Sequence, residues 1–364
     1  MSEPARPSRR RLLAGLAALA IARPAVAISV AETCGRPGAG GLSAVACRRG
    51  IWFGSAVASS DLADPAYAAL VAAQCALLTP TWEMKWKPLR PGPDSFDFAA
   101  CDRLAGFARQ HGMALRGHTL IWHMEMPVWL LQSLSPASWE GLLERHMQTV
   151  IGRYRRLVSS WDVVNEAVEP EHGRDDGLRD SPWLRVAGPD YVVAAYKLAG
   201  RFAPEARLVY NDYGCEHEAE WTRRRRRAVL RLLERLRKAD APVHALGLQS
   251  HLRVGDAFDA AAFGRFLGEV RDLGLVPMVT EFDLRADRVR GADEKDRKTA
   301  ALAKAYLDTV LAAGCDTVVC WGLSDDKSWR AAEEPDDRPL PFDRQLAAKP
   351  LYQALEDALS RSAS

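Results

Sequence analysis

The sequence predicts a single-domain α/β protein folded as a (β/α)8 TIM barrel, and three observations carry that expectation. From about residue 50 onward, short β-rich apolar runs alternate with longer stretches of helical period, the signature of a parallel sheet with crossover helices. Eight such runs can be counted, as a closed barrel requires. No Gly-rich phosphate loop follows the first run, as would be expected of an open doubly wound sheet.

Taken in order, the strands are expected at 51–57, 76–79, 114–118, 160–165, 207–211, 245–249, 277–281 and 317–321. The spacing of apolar residues predicts helices between them at 98–111, 139–155, 191–202, 218–238, 260–273 and 293–313. The carboxyl ends of the strands carry His118, Asn165-Glu166, Asn211-Asp212, Gln249, Glu281 and Trp321. In a barrel of this kind that end is where chemistry sits.

The segment ahead of the barrel reads differently. Ser8, Arg9, Arg10 and Arg11 precede an apolar stretch at 12–22, and Ala25-Val26-Ala27 offers the small-x-small pattern of a signal peptidase site. Residues 1–27 are therefore expected to be a twin-arginine-like signal peptide, 28–50 an N-terminal extension and 51–359 the barrel. The apolar stretch is short of the roughly 20 residues that a spanning helix needs. Export to the periplasm or the medium is the expectation.

Bulk properties exclude several classes. Hydrophobic residues make up 48% and charged residues 26% of the 364 residues, which is an ordinary globular balance. The net charge of +2 speaks against nucleic acid or an anionic membrane as the main partner. Arg223 to Arg227 form an arginine run, but Val229, Leu232, Leu233 and Leu236 continue it at helical spacing. The run is thus expected to be the solvated part of an outer helix. Seven cysteines are present. Cys34 and Cys47 are placed for a small disulfide loop, while Cys75, Cys101, Cys315 and Cys320 sit in apolar patterns typical of buried thiols. No CxxC or HExxH pattern occurs, so neither a metal nor another cofactor is expected.

Two glutamates stand out. Glu166 closes the run Trp161-Asp162-Val163-Val164-Asn165-Glu166, and Glu281 closes Val276-Pro277-Met278-Val279-Thr280-Glu281. They end the fourth and seventh expected strands, so both project into one barrel mouth. Cleaving a glycosidic bond needs such a pair, one carboxyl protonated to assist departure and one ionised to attack or to activate water. A lone strand-end glutamate is as readily a salt bridge. Two on one face, among amides, histidines and tryptophans, point to catalysis.

Several motifs occur together in order: EMKW at 83–86, RGHTLIWH at 116–123, WDVVNEA at 161–167, DGLRDSPW at 176–183, YNDYG at 210–214, GLQSHL at 247–252, TEFD at 280–283, WGLSDDKSWR at 321–330 and PFDRQLAAKPLY at 341–352. In this the chain resembles glycoside hydrolase family 10, whose members are mainly endo-β-1,4-xylanases. The resemblance implies a retaining reaction with Glu166 as general acid/base and Glu281 as nucleophile. It implies that Asn165 binds the substrate 2-hydroxyl and that His251 orients Glu281 with Asp283. Lys85, His118, Trp122 and Gln249 would line the sugar cleft, with Trp321 and Trp329 as aromatic floor and wall.

The chain departs from the family pattern at four places. Thr81 and Trp82 stand where Glu and Asn are usual on the glycone side, Glu125 stands for a usual Gln, and Gly214 for a usual Asn. The expected partner is a polysaccharide or oligosaccharide, with no nucleic acid, no membrane after signal removal, and a monomeric state. A different β-linked glycan, or a carbohydrate-binding barrel without turnover, are the alternative readings.

Overall fold

The computed structural model describes residues 40–361 together with Val30 and Thr33; the expected signal peptide and Cys34 lie outside the described residues. Among the described residues nine strands are formed: β1 (Trp52–Val57), β2 (Leu77–Pro80), β3 (Ala114–Gly117), β4 (Val158–Asn165), β5 (Arg207–Asp212), β6 (Ala245–Leu248), β7 (His251–Arg253), β8 (Val276–Arg285) and β9 (Thr317–Cys320). Neighbours pair in parallel from β1 to β6, β6 then pairs with β8, and β9 closes the ring against β1. Eight strands thus make the expected (β/α)8 barrel. The ninth, β7, prolongs the line of β6 and pairs only with the end of β8.

Nearly every strand residue is buried, because helices cover the outside while side chains fill the inside. That double burial is why the strands read as continuous apolar runs. The six expected helices are present as Ala99–Gln110, Trp139–Tyr154, Tyr191–Phe202, Glu220–Lys238, Ala260–Asp272 and Ala292–Ala312. The helix Pro65–Gln74 was not legible. Asp64 caps it by accepting from the N–H groups of Ala66 and Tyr67, and Pro65 fills its first position, yet its alanine-rich body carries little amphipathic signal. The helix Gly41–Cys47 packs on β1 and on the last helix, Pro350–Ser360, and its Leu42, Val45 and Ala46 join the main core. Packing of the barrel therefore begins within the segment read as an extension.

Two expectations need correction. Glu281 does not end its strand, since β8 runs on to Arg285. Asp283, Leu284 and Arg285 pair with His251, Leu252 and Arg253, a tertiary pairing that no local pattern announces. The arginine run is not wholly solvated either. Arg225 is 1% exposed and Arg226 7%, because five consecutive helical positions sweep more than a full turn and two must face inward. Cys75, Cys101, Cys215, Cys315 and Cys320 are buried, and Cys47 is disulfide-bonded. No described helix is long and apolar enough to cross a membrane.

Candidate active site

Glu166 follows β4 directly, with a positive φ of 59°, a left-handed conformation uncommon for a residue with a side chain. Its backbone is held on both sides. The Glu166 N–H donates to the Asn211 carbonyl at 2.9 Å, and Arg179 Nε donates to the Glu166 carbonyl at 2.8 Å. The side chain accepts three hydrogen bonds: from Trp122 Nε1 to Oε2 at 2.9 Å, and to Oε1 from Gln249 Nε2 at 2.8 Å and Asn165 Nδ2 at 3.1 Å. Trp122 thus holds a carboxyl oxygen instead of only lining the cleft. His123 lies 3.9 Å from Oε2, and burial pushes its imidazole down to about 4.

Arg179 belongs to a further set of charges beneath Glu166. It reaches Glu169 Oε2 and the Tyr213 hydroxyl, each at 2.9 Å, and Arg225 pairs with Glu169 at 3.0 Å while lying 3.9 Å from the centre of the Tyr213 ring. Burial raises the Glu169 carboxyl, but Arg225, the Tyr213 hydroxyl and Arg179 outweigh it and hold the group at about 2. Arg225, one of the two buried members of the arginine run, therefore braces the loop that follows Glu166.

Glu281 sits inside β8 where the ladder to β9 slips between Val279 and Phe282, an irregularity of the kind that re-aims side chains near sites. It is 5% exposed. Asn211 Nδ2 donates to Oε1 at 2.8 Å, and His251 Nε2 lies 3.3 Å from Oε2. On its other side the His251 ring lies 3.0 Å from Asp283 Oδ1, as an ion-pair contact. Burial alone would raise the Glu281 carboxyl. The hydrogen bond from His251, the charges of His118 and His251, and the Asn211 amide overcome it and bring the group to about 2. His251, pushed down by burial, is lifted well above its ordinary value by Asp283 and Glu281.

The two carboxylates are linked by amides. Asn211 Nδ2 also donates to Asn165 Oδ1 at 2.9 Å, and Asn165 Nδ2 reaches Glu166. The sequence marks Asn211 as one of several polar strand ends, and the structure makes it the bridge. Its side chain can turn inward because its partner in register is Gly247. A Cβ there would stand 2.3 Å from Asn211 Oδ1.

The other expected residues gather around this centre. His118 is buried, with Nδ1 2.9 Å from Asp162 Oδ2, and Asp162 is also paired with Arg116 in the barrel interior. Trp321 and His118 meet in a T-shaped contact, with 5.4 Å between ring centres. Trp329 is 53% exposed and is tethered by its Nε1 to Asp283 Oδ2 at 2.8 Å, which fixes an open indole face beside His251. The Lys85 ammonium lies 4.6 Å from the centre of the Trp122 ring and 5.6 Å from that of Trp82. Desolvation lowers the Lys85 pKa, against the pull of Glu281, Glu125, Glu166 and Glu83.

Three of the four departing positions also have a structural account. Trp82 is 41% exposed, with its ring on the rim beside Lys85. Glu125 pairs loosely with Lys87 at 3.7 Å. Gly214 has a φ of +71°, and a Cβ there would come within 2.5 Å of the Trp221 ring. A side chain at 214 is thus excluded by an indole from the helix Glu220–Lys238.

Comparison with known proteins agrees with this arrangement. Residues 41–358 match Glycosyl hydrolase family 10. Over 322 residues the chain is 33% identical to Exoglucanase XynX of Acetivibrio thermocellus, covering 84% of this chain and 28% of that protein. It is 30% identical to Endo-1,4-beta-xylanase 2 of Claviceps purpurea, covering 84% and 86%. The chain spans only about a quarter of the length of Exoglucanase XynX and of Endo-1,4-beta-xylanase A of Thermoanaerobacterium saccharolyticum, covering 28% and 26% of them. Among solved structures, xylanase 10B from Thermotoga petrophila RKU-1 in complex with xylobiose superposes with a TM-score of 0.81 at 28% identity, covering 89% of this chain and 98% of that one. The native xylanase 10B from Thermotoga maritima gives 0.79 at 29% identity, covering 88% and 98%. The chain belongs to glycosyl hydrolase family 10.

Proposed function

We propose that this chain is a retaining endo-β-1,4-glycosidase that hydrolyses xylan, with Glu281 as nucleophile and Glu166 as acid/base. The observation that carries the reading is the amide bridge between two carboxyl groups, one of which is held at about 2. A carboxylate ionised at every working pH is suited to attack an anomeric carbon. Glu166 gives its proton to the departing glycosidic oxygen as the C–O bond breaks and the Glu281 ester forms. Water then attacks the same carbon, returns a proton to Glu166 and frees Glu281. Asn165, between the two, is placed to bind the 2-hydroxyl, a contact that strengthens as charge develops on the sugar.

Lys85, His118, Gln249, Trp321 and Trp329 make up the sugar-binding cleft in this reading. Trp82 favours a second possibility for the glycone side, because an exposed indole stacks on a sugar face where the family uses an amide. Linear xylan is then a weaker substrate than for typical members, and another β-linked glycan fits better. The enzyme acts as a monomer, with neither nucleic acid nor membrane as partner. The paired arginines, apolar stretch and Ala25-Val26-Ala27 pattern support export by the twin-arginine route.

Product analysis on a panel of polysaccharides tests the proposal, with Glu166→Ala and Glu281→Ala as controls. Short β-1,4-oligosaccharides from wild-type enzyme alone support it. Equal release by the variants, or none from any glycan, refutes it.

A further inference from the structure

Ser250 stands between the residues that hold the two carboxyl groups. Gln249 Nε2 donates to Glu166 Oε1 at 2.8 Å, and His251 Nε2 lies 3.3 Å from Glu281 Oε2. Leu248 is in register with Val279 and His251 with Asp283, so three steps along one chain match four along the other. The turn at Gln249-Ser250 takes up that difference. Ser250 has a φ of +63°, a left-handed conformation that a residue with a Cβ keeps only where its surroundings hold it.

The hold comes from the segment that follows β5. The Ser250 N–H donates to Glu216 Oε1 at 2.9 Å. Ser250 is 0% and Glu216 2% exposed, so bulk water cannot take the place of that acceptor. Ser250 Oγ donates to the Leu248 carbonyl at 3.0 Å and accepts from the Tyr306 hydroxyl at 2.6 Å. Glu216 is fixed in turn by the second buried arginine of the helix Glu220–Lys238. Arg226 donates to the carbonyls of Cys215, Glu216 and His217 at 2.7, 3.3 and 2.9 Å. His217 Nε2 accepts from the Arg253 N–H at 3.3 Å. One braced segment thus grips β7 just ahead of its first residue and at its last.

We propose that Glu216 is a positioning residue for the hydrolysis: its carboxylate fixes the Ser250 turn and through it aims Gln249 at Glu166 and His251 at Glu281. The inference rests on Glu166 being the acid/base and Glu281 the nucleophile. Glu216 itself is too deeply buried to meet a sugar, so its effect on the reaction passes through the backbone of Ser250. When the acceptor is withdrawn, the turn relaxes toward extended backbone, and the contacts to both carboxyl groups loosen together.

The test is kcat/KM of the full chain on phenyl and 2,4-dinitrophenyl β-xylobioside, for the wild type, Glu216→Gln and Glu216→Asp. The substrates share their sugars; only the phenyl one needs a proton from Glu166 as it leaves, whereas both need attack by Glu281. Gln keeps the reach and an acceptor oxygen, while Asp keeps a carboxylate and withdraws it by one methylene. Glu216→Gln should stay within about threefold of the wild type, and Glu216→Asp should lose about tenfold on the dinitrophenyl and about a hundredfold on the phenyl substrate. A smaller folded fraction, or failure to fold, would cut both substrates by the same factor. The inference is overturned if the Asp variant loses no more on the phenyl substrate than on the other, if it is unimpaired on the dinitrophenyl one, or if the Gln variant is no better than Asp. Failure of the wild type on both substrates would strike the glycosidase reading and this inference together, whereas the variants strike the inference alone.

Discussion

Asn211 Nδ2 lies 2.8 Å from Oε1 of Glu281, and this one amide joins two strands that are not neighbours in sequence across the floor of the cleft. Glu281 owes its low pKa partly to this bond and partly to His251.

Replacing Asn211 by Ala removes a donor from Glu281 and from Asn165 together. A buried acceptor left bare costs about 1–3 kcal/mol, so kcat/KM should fall by roughly ten- to a hundredfold. The acidic limb of its pH profile should move to higher pH, because Glu281 loses a bond that favours its ionised form. Steady-state kinetics across pH, with an unmoved acidic limb, would speak against the role of Asn211.

Gly247→Ala should act through the same amide. The added Cβ would press on Asn211 Oδ1 from 2.3 Å, destabilising the fold by about 1–3 kcal/mol and lowering kcat like the Asn211 variant. Gly268→Ala is the control, since a Cβ there meets nothing within 4 Å. Thermal melts and kcat for the two variants should diverge. Equal behaviour would remove Gly247 from the account.

Acid stability should depend on Glu281. Its carboxyl is depressed from 4.5 to about 2, so it stabilises the native state above the unfolded value, and that contribution is lost as pH falls through the folded value. The size is on the order of 3 kcal/mol. His251 is shifted the other way; its contribution is present below its unfolded value and is lost as pH rises through the folded one. Glu281→Gln should therefore flatten the decline in Tm between pH 4.5 and 2. Parallel Tm–pH curves for variant and wild type would contradict the linkage.

Trp122→Phe keeps an aromatic ring near Lys85 but deletes the donor to Glu166 Oε2. Losing one orienting hydrogen bond should lower kcat roughly tenfold with KM little changed. A rise in KM at constant kcat would instead make Trp122 a sugar-stacking residue only.

Much of this was legible in the chain because parallel barrel strands are buried on both faces and end in polar residues. Glu166, Glu281 and Gln249 could be singled out from that contrast, whereas His251 was legible only through the resemblance to the family. The bridging role of Asn211 could not, since it depends on which way a side chain turns and on the missing Cβ of Gly247 in the adjacent strand. The continuation of β8 past Glu281 was hidden for a related reason: Asp283–Arg285 find their partners in β7, 32 residues away in register at His251↔Asp283. Arg225 and Arg226 misled because charge suggests solvent, whereas helical geometry turned them toward Tyr213, Glu169 and the carbonyls of Cys215 and His217. Trp122 read as a cleft-lining residue and Trp329 as an aromatic wall, and their indole N–H groups proved to tie down Glu166 and Asp283.

Covalent trapping tests the central claim most directly. A 2-deoxy-2-fluoro xylobioside with a good leaving group should inactivate the enzyme, and mass spectrometry of its peptides should find one glycosyl ester, on Glu281. Turnover that proceeds with no adduct, or an adduct on any other residue, would contradict the account.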